Sequence, residues 1–130
     1  MIYVDSSALM KLIRQESESG ALLEWLGERT DVGKCTSALS IVEVMRACRR
    51  IDDRLALEGR RTLSNLDLIP IGSHIIEDAA MVGQPDLRGL DAIHLSSALS
   101  VRSAVSTFVT YDERLRRAAE AEGLVVSAPH

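Results

Sequence analysis

Residues 1–13 read MIYVDSSALMKLI, and this stretch decides the fold. The first four residues form a short apolar run without alternation, which is typical of a strand buried on both faces of a parallel sheet. Asp5 ends the run, and apolar residues at helical spacing follow at once, from Ser6 to Arg14. The sequence therefore predicts a strand, an acidic residue at its carboxyl end, and then a helix.

The same succession continues along the chain. We expect further strands at 34–36, 68–71, 107–110 and 124–126, and helices at 17–28, from about 37 past Arg46, and at 51–65, 73–82, 90–104 and 112–122. Strands that alternate with helices predict an α/β protein with a parallel sheet, and no linker or repeat divides residues 1–130 into more than one domain.

Three of these elements carry more specific expectations. Pro70 lies inside the strand at 68–71, which favours an edge position because proline cannot donate a ladder hydrogen bond. The helix at 90–104 is the most apolar and should be central. In the charged helix at 51–65, Leu55, Leu57 and Leu63 should face inward.

Composition limits the classes of function. Only 3% of the residues are aromatic, so a base-stacking surface for single-stranded RNA is not expected. The net charge of −4 weighs against nucleic-acid binding, unless bound cations reverse the local field. Cys35 and Cys48 form no metal or redox motif. With neither a signal peptide nor a membrane-length apolar segment, we expect a cytoplasmic protein and no membrane partner.

Four carboxylates stand out by position. Asp5 and Asp112 follow the first and a later strand, so both reach the same edge of a parallel sheet. Asp91 begins the most apolar helix, and Glu43 lies on an apolar helix face where a lone carboxylate is costly to bury. Each also has a simpler explanation: Asp5 and Asp112 as helix N-caps, Asp91 as a favourable charge at a helix N-terminus, and Glu43 as a partner of Arg46.

Taken together, four acids at one edge would repel one another unless cations neutralised them. An all-oxygen site suits Mg²⁺ or Mn²⁺ rather than zinc. Such a site activates a bound water and holds a phosphodiester for in-line displacement.

The segments around these acids resemble the four acidic motifs of PIN-domain proteins. They are MIYVDSSAL around Asp5, SIVEVMRA around Glu43, LRGLDAIHLSSAL around Asp91 and FVTYDERL around Asp112. Their wording and the length of the chain are most similar to VapC-type ribonuclease toxins of toxin–antitoxin pairs.

The resemblance implies a three-layer α/β/α sandwich with a central, mostly parallel sheet of four or five short strands. It also implies a Mg²⁺-dependent endoribonuclease, with Mn²⁺ as a possible substitute, that acts on RNA. Metal binding is carried onto Asp5, Asp91 and Asp112, and Glu43 would orient or deprotonate the attacking water. Ser7 and Thr110 match hydroxyl positions that support the acids. The usual partners are a cognate antitoxin and a second copy of the toxin.

Several other residues keep two interpretations. The arginines after Asp112 are candidates for RNA phosphates: Arg114, Arg116 and Arg117. The arginines between positions 46 and 61 could follow an RNA backbone or form a solvated face. Apolar residues of the second helix could form core or a groove for the antitoxin: Leu22, Trp25 and Leu26. His94 is either a packed histidine or a support for Asp91.

Residues at single positions exclude several other functions. A phosphoaspartyl hydrolase needs a second aspartate where Ser7 stands, and a receiver domain needs a late lysine that the Thr110–Tyr111 segment does not supply. No glycine-rich nucleotide loop is present. A DNA-directed nuclease would need a duplex-binding insertion, for which a chain of 130 residues has no room. A catalytically silent PIN-fold module that binds RNA or protein remains the alternative.

Overall fold

The computed structural model describes all 130 residues around a five-stranded, wholly parallel sheet in the order β3-β2-β1-β4-β5. The strands are β1 (Ile2–Val4), β2 (Lys34–Ser37), β3 (Asp67–Ile69), β4 (Thr107–Val109) and β5 (Val126–Ser127). The helices are α1 (Ser6–Ile13), α2 (Ser19–Gly27), α3 (Leu39–Ile51), α4 (Asp53–Ser64), α5 (Ser73–Ala79), α6 (Gly89–Ser100) and α7 (Glu113–Ala121).

Strand β1 is central and buried on both faces. Ile2 and Val4 join an apolar cluster that includes residues of α1, α2 and α3, whereas Tyr3 belongs to a second cluster with residues of α6 and α7. On that second face the Tyr3 ring stacks on Phe108 of β4, with ring centroids 4.9 Å apart. Successive residues of one strand thus face two different helical layers, and the predicted three-layer sandwich is confirmed.

The strand order places a topological switch beside β1. The chain passes from β1 outward to β2 and β3, then returns to the other side of β1 for β4 and β5. Connections therefore diverge at the carboxyl ends of β1 and β4, which is where open α/β sheets form their sites. Asp5 follows β1 directly, and Asp112 lies three residues beyond the end of β4.

The predicted elements are present, with ends that differ by a few residues. Strand β3 lies at the edge, as Pro70 predicted, and ends before that proline. Helix α6 is central: six of its residues are buried. None of the helices is long and apolar enough to cross a membrane.

One prediction about an apolar face was wrong, and for another helix burial decides between the two interpretations. Leu57 is 53% exposed, while Leu63 of the same helix is buried, because the apolar stripe of α4 is narrower than its leucine content suggests. Leu22 and Leu26 are 0% and 7% exposed and belong to the core, so they cannot line an open groove for an antitoxin. Trp25 is half-buried, and Arg29 lies over its ring at 4.1 Å from the centroid.

Adjacent leucines of α2 test this packing. Leu22→Ala should lower the free energy of unfolding by about 2–5 kcal/mol, because it leaves a cavity in the core. Leu23→Ala, the matched control at a position 55% exposed, should change it by less than about 1 kcal/mol. Urea unfolding measures both, and equal losses would contradict the assignment of the two faces.

Candidate active site

Asp5 is the buried centre of the site. It is 3% exposed and is the N-cap of α1, where its Oδ1 accepts hydrogen bonds from the Ala8 amide (3.0 Å) and the Ser7 hydroxyl (2.7 Å). Its Oδ2 accepts from the Thr110 hydroxyl at 2.6 Å. Burial raises the pKa of Asp5, and these hydrogen bonds offset only part of that rise.

Thr110 and Ser7 join the end of β1 to the end of β4. The Thr110 hydroxyl accepts a hydrogen bond from the Asp112 amide at 3.1 Å while it donates to Asp5. The Ser7 hydroxyl accepts from the Tyr111 amide, also at 3.1 Å. Both residues predicted to support the acids are therefore in contact with Asp5, and they also fix the backbone that carries Asp112.

Arg88 holds the other two aspartates together. Asp112 is the N-cap of α7: its Oδ1 accepts from the Leu115 amide (2.9 Å), and its Oδ2 accepts from Nη2 of Arg88 (3.1 Å). Asp91, in the first turn of α6, accepts from Nε of the same guanidinium at 3.1 Å. Burial raises the pKa of Asp91; Arg88 opposes the rise and the charge of Asp112 adds to it. One guanidinium therefore bridges two carboxylates.

Glu43 is held through a separate network. Its Oε1 accepts from the Ser6 hydroxyl (2.7 Å) and lies 2.6 Å from Nε2 of His94. Although burial alone would raise the pKa of Glu43, the hydrogen bonds from His94 and Ser6 lower it overall. Glu43 is consequently an ionised acceptor, and its second oxygen, Oε2, makes no hydrogen bond within the protein.

The hydrogen bonds of Tyr3 favour one of the two tautomers that a neutral His94 ring could adopt. The Ser37 amide can only donate, so it donates to the Tyr3 hydroxyl at 3.2 Å. The phenolic hydrogen is then free to point at Nδ1 of His94, 2.7 Å away. With Nδ1 as acceptor, the imidazole proton lies on Nε2 and is donated to Glu43. His94 is thus the packed, hydrogen-bonded histidine of the first interpretation. It positions Glu43 and makes no hydrogen bond to Asp91.

The site has an open side. A cleft of about 580 Å³ is lined by Glu43, Arg88 and Asp91 together with apolar residues of α5 and α6, among them Ala79 and Leu90. No three Asp, Glu, His or Cys side chains converge as a ready-made set of metal ligands. Of the four acids, Glu43 and Asp91 line this cleft. Asp112 is joined to Asp91 through Arg88, and Asp5 to the Asp112 backbone through Thr110.

The predicted RNA-binding arginines lie outside this cluster. Arg116 forms ion pairs with Glu113 and Glu120, and Arg117 pairs with Glu113, all within α7. Arg114 lines a different pocket beside Met81. The structure thus pairs two of these arginines with neighbouring glutamates and brings none of the three to the acids.

Two members of the other arginine cluster lie closer. Arg46 and Arg50 line a groove that also includes Ser6, Ser7 and Glu43. They follow Glu43 on α3 at steps of three and seven residues, so they share its helix face. The remaining arginines of that cluster are exposed: Arg49, Arg54, Arg60 and Arg61.

Sequence reasoning missed three functional contacts. Arg88 stands three residues before Asp91, and this i,i+3 spacing at the start of a helix is a signal that could have identified it. Ser6 was overlooked beside Ser7, although both follow Asp5. Nothing in the sequence announces the pairing of Tyr3 with His94, which are 91 positions apart.

Comparisons of sequence and of structure with known proteins point to the same family. The PIN domain profile matches residues 2–121. The chain is 46% identical to Ribonuclease VapC35 of Mycobacterium tuberculosis over 99% of its own length and 97% of the relative's. It superposes on a toxin–antitoxin complex from Klebsiella pneumoniae with a TM-score of 0.75 (23% identity; 100% and 98% of the two chains). Crystalline VapC20 of M. tuberculosis, a sarcin–ricin loop cleaving toxin, also gives 0.75 (19% identity; 99% and 100%).

Thr110→Val tests the link between the two strand ends. The substitution keeps the shape but removes the donor to Asp5 and the acceptor of the Asp112 amide. We expect a loss of about 1–3 kcal/mol in the free energy of unfolding, because buried partners are left unsatisfied. Thr107→Val, at a half-buried position in β4, the strand that Thr110 directly follows, is the control and should lose less; equal losses would contradict the link.

Asp5 also makes a testable contribution to the pH dependence of stability. Its folded-state pKa is raised above the ordinary value of 3.8, so the folded chain keeps a proton that the unfolded chain releases. In EDTA, the stability of the wild type relative to Asp5→Asn should therefore fall as pH rises from about 4 through the folded-state pKa.

Urea unfolding at a series of pH values between about 4 and 7 measures this difference. Asp52→Asn removes a capping carboxylate at an exposed position on α4 and controls for the loss of an N-cap charge. A stability of the wild type, measured relative to Asp5→Asn, that rose with pH would contradict the raised pKa.

Proposed function

Because this chain belongs to the PIN-domain family and is closely related to the VapC ribonucleases, we propose that it is a Mg²⁺-dependent endoribonuclease toxin. The observation that carries the proposal is the chain of hydrogen bonds that links Asp5, Asp112 and Asp91 through Thr110 and Arg88 at the topological switch of the sheet. Glu43 lines the same cleft as Asp91. Relatives of nearly full length that are named ribonucleases support the choice of RNA.

The residues present fit a hard divalent cation. Every available donor at the cleft is a carboxylate oxygen, and two of the carboxylates are already drawn together by a cation, the guanidinium of Arg88. Mg²⁺ ordinarily keeps several waters and takes only one or two protein carboxylates, so a set of three converging ligands is not required. Asp5, Asp91 and Asp112 would hold the ion, with Mn²⁺ as a substitute.

A bound ion of this kind lowers the pKa of a coordinated water and neutralises charge that develops on the phosphodiester. The chain's own contribution is to orient and to accept the proton. Glu43 has one oxygen fixed by Ser6 and His94, so Oε2 is left to accept a proton from the attacking water. Attack by water rather than by the 2′-hydroxyl leaves a 5′-phosphate and a 3′-hydroxyl.

The same family membership supports a protein partner. The Klebsiella structure is a toxin–antitoxin complex, and a Rickettsia felis pair of the same type binds a DNA fragment from its promoter. By this likeness we infer a cognate antitoxin for the present chain, and assemblies that contain two toxin copies. Both cysteines are buried and unpaired, which suits the reducing cytoplasm in which RNA is met.

Cleavage of a total RNA pool tests the activity and the site together. With Mg²⁺, the wild type should cut RNA to products that carry 5′-phosphates, and EDTA should stop the reaction until Mg²⁺ is restored. Asp5→Asn and Asp91→Asn should each reduce cleavage by at least about a hundredfold. Loss of a residue that hydrogen-bonds a metal ligand ordinarily costs about 10- to 100-fold, and loss of the ligand itself should cost more.

Asp53→Asn, an exposed aspartate in the first turn of α4, is the matched control and should cleave normally. Cleavage retained by purified Asp5→Asn would refute the site. A wild type that binds RNA in the presence of Mg²⁺ without cutting it would instead favour the silent binding module.

A further inference from the structure

The side chain of Arg88 is attracted by two carboxylates and opposed by the positive ends of two helices. Its guanidinium donates to Asp91 and to Asp112, yet 68% of its side chain is exposed. Arg88 is also the N-cap residue of α6, and the carboxylate it reaches on the far side, Asp112, is the N-cap of α7. The guanidinium thus contacts acids that stand at the N-termini of two helices, where both helix dipoles are positive.

That arrangement shows what holds the guanidinium in place. Helix N-termini favour anions and disfavour cations, so the peptide dipoles of α6 and α7 oppose the position of Arg88. Its attachment depends on the two carboxylates alone. Each exposed ion pair is worth roughly a factor of two to five in an equilibrium constant. A competing cation of higher charge density can displace it.

We propose that Arg88 is an exchangeable counter-ion: it neutralises the Asp91–Asp112 pair in the metal-free protein, leaves that pair when a divalent cation binds, and then contacts an RNA phosphate. The inference rests on the metal dependence in the proposed function. It assigns to one side chain two successive anionic partners, first protein carboxylates and then substrate.

Once Arg88 has left the two carboxylates, its surroundings favour contact with an RNA phosphate. A guanidinium donates two parallel hydrogen bonds to phosphate as readily as to carboxylate. The divalent cation that then occupies Asp91 and Asp112 attracts the same anion. Arg88 also lines the cleft of about 580 Å³ that it shares with Glu43 and Asp91, so the displaced side chain remains next to the scissile position.

The first test is a calorimetric titration of the metal-free protein with Mn²⁺ at low ionic strength, without RNA. Arg88→Gln should bind Mn²⁺ about three- to tenfold more tightly than the wild type, because the ion no longer displaces two ion pairs. Arg88→Lys should be intermediate, since an ammonium is a point charge without the planar fork that spans both carboxylates.

Arg61→Gln is the matched control. Arg61 forms an exposed ion pair with Glu58 at the same three-residue spacing, on α4, and its side chain is 66% exposed. Its loss should leave Mn²⁺ affinity unchanged. Equal or weaker binding by Arg88→Gln, with normal binding by the wild type, would overturn the counter-ion role alone. If none of the proteins binds Mn²⁺, the proposed metal dependence fails as well.

The second test uses a fluorescent RNA of about 30 nucleotides that contains a cleavage site mapped in the total-RNA experiment. At saturating Mg²⁺, Arg88→Gln should raise KM by about five- to tenfold with little change in kcat, as expected for the loss of a phosphate contact. Arg14→Gln, which removes an exposed arginine outside the cluster at 46–61, is the control for RNA and should match the wild type. An unchanged KM for Arg88→Gln would overturn the contact with phosphate.

Discussion

A carboxylate that is 3% exposed remains usable only if its oxygens are hydrogen-bonded, and Asp5 meets that requirement through its neighbours. One oxygen is satisfied by the turn that begins α1, and the other by Thr110 at the end of β4. The second contact exists only because β1 and β4 pair in parallel and in register, with Val4 opposite Val109. The pairing of the two central strands therefore fixes both the fold and the position of the acid.

The hydrogen bonds by which two aspartates cap helices also orient those aspartates in the site. Asp5 and Asp112 cap α1 and α7 with Oδ1, and in each the cap leaves Oδ2 directed away from the helix. The simpler explanation of these residues as N-caps was correct, and it explains how their second oxygens are oriented. A cap holds its carboxylate to one rotamer, which gives a cation a fixed oxygen without further ordering of the side chain.

The predictable part of the site is the part set by strand ends. Asp5 and Asp112 could be placed at one edge because parallel strands deliver their carboxyl ends together. The contacts of Arg88 and of Tyr3 with His94 depend on how α6 is turned against the sheet, which periodicity does not specify. The same limit explains the error on Leu57, since leucine content shows that a helix is amphipathic but not how wide its buried stripe is.

The net charge of −4 does not oppose RNA binding, because the acids that contribute to it are locally compensated. Arg88 already neutralises part of the charge of Asp91 and Asp112, and Arg46 and Arg50 lie along the groove next to Glu43. A divalent cation in the cleft would add two further positive charges where an RNA phosphate must approach. An approaching substrate experiences the electrostatic potential of the cleft rather than the net charge of the whole chain. The sign of that potential depends on which cation is bound to the carboxylates.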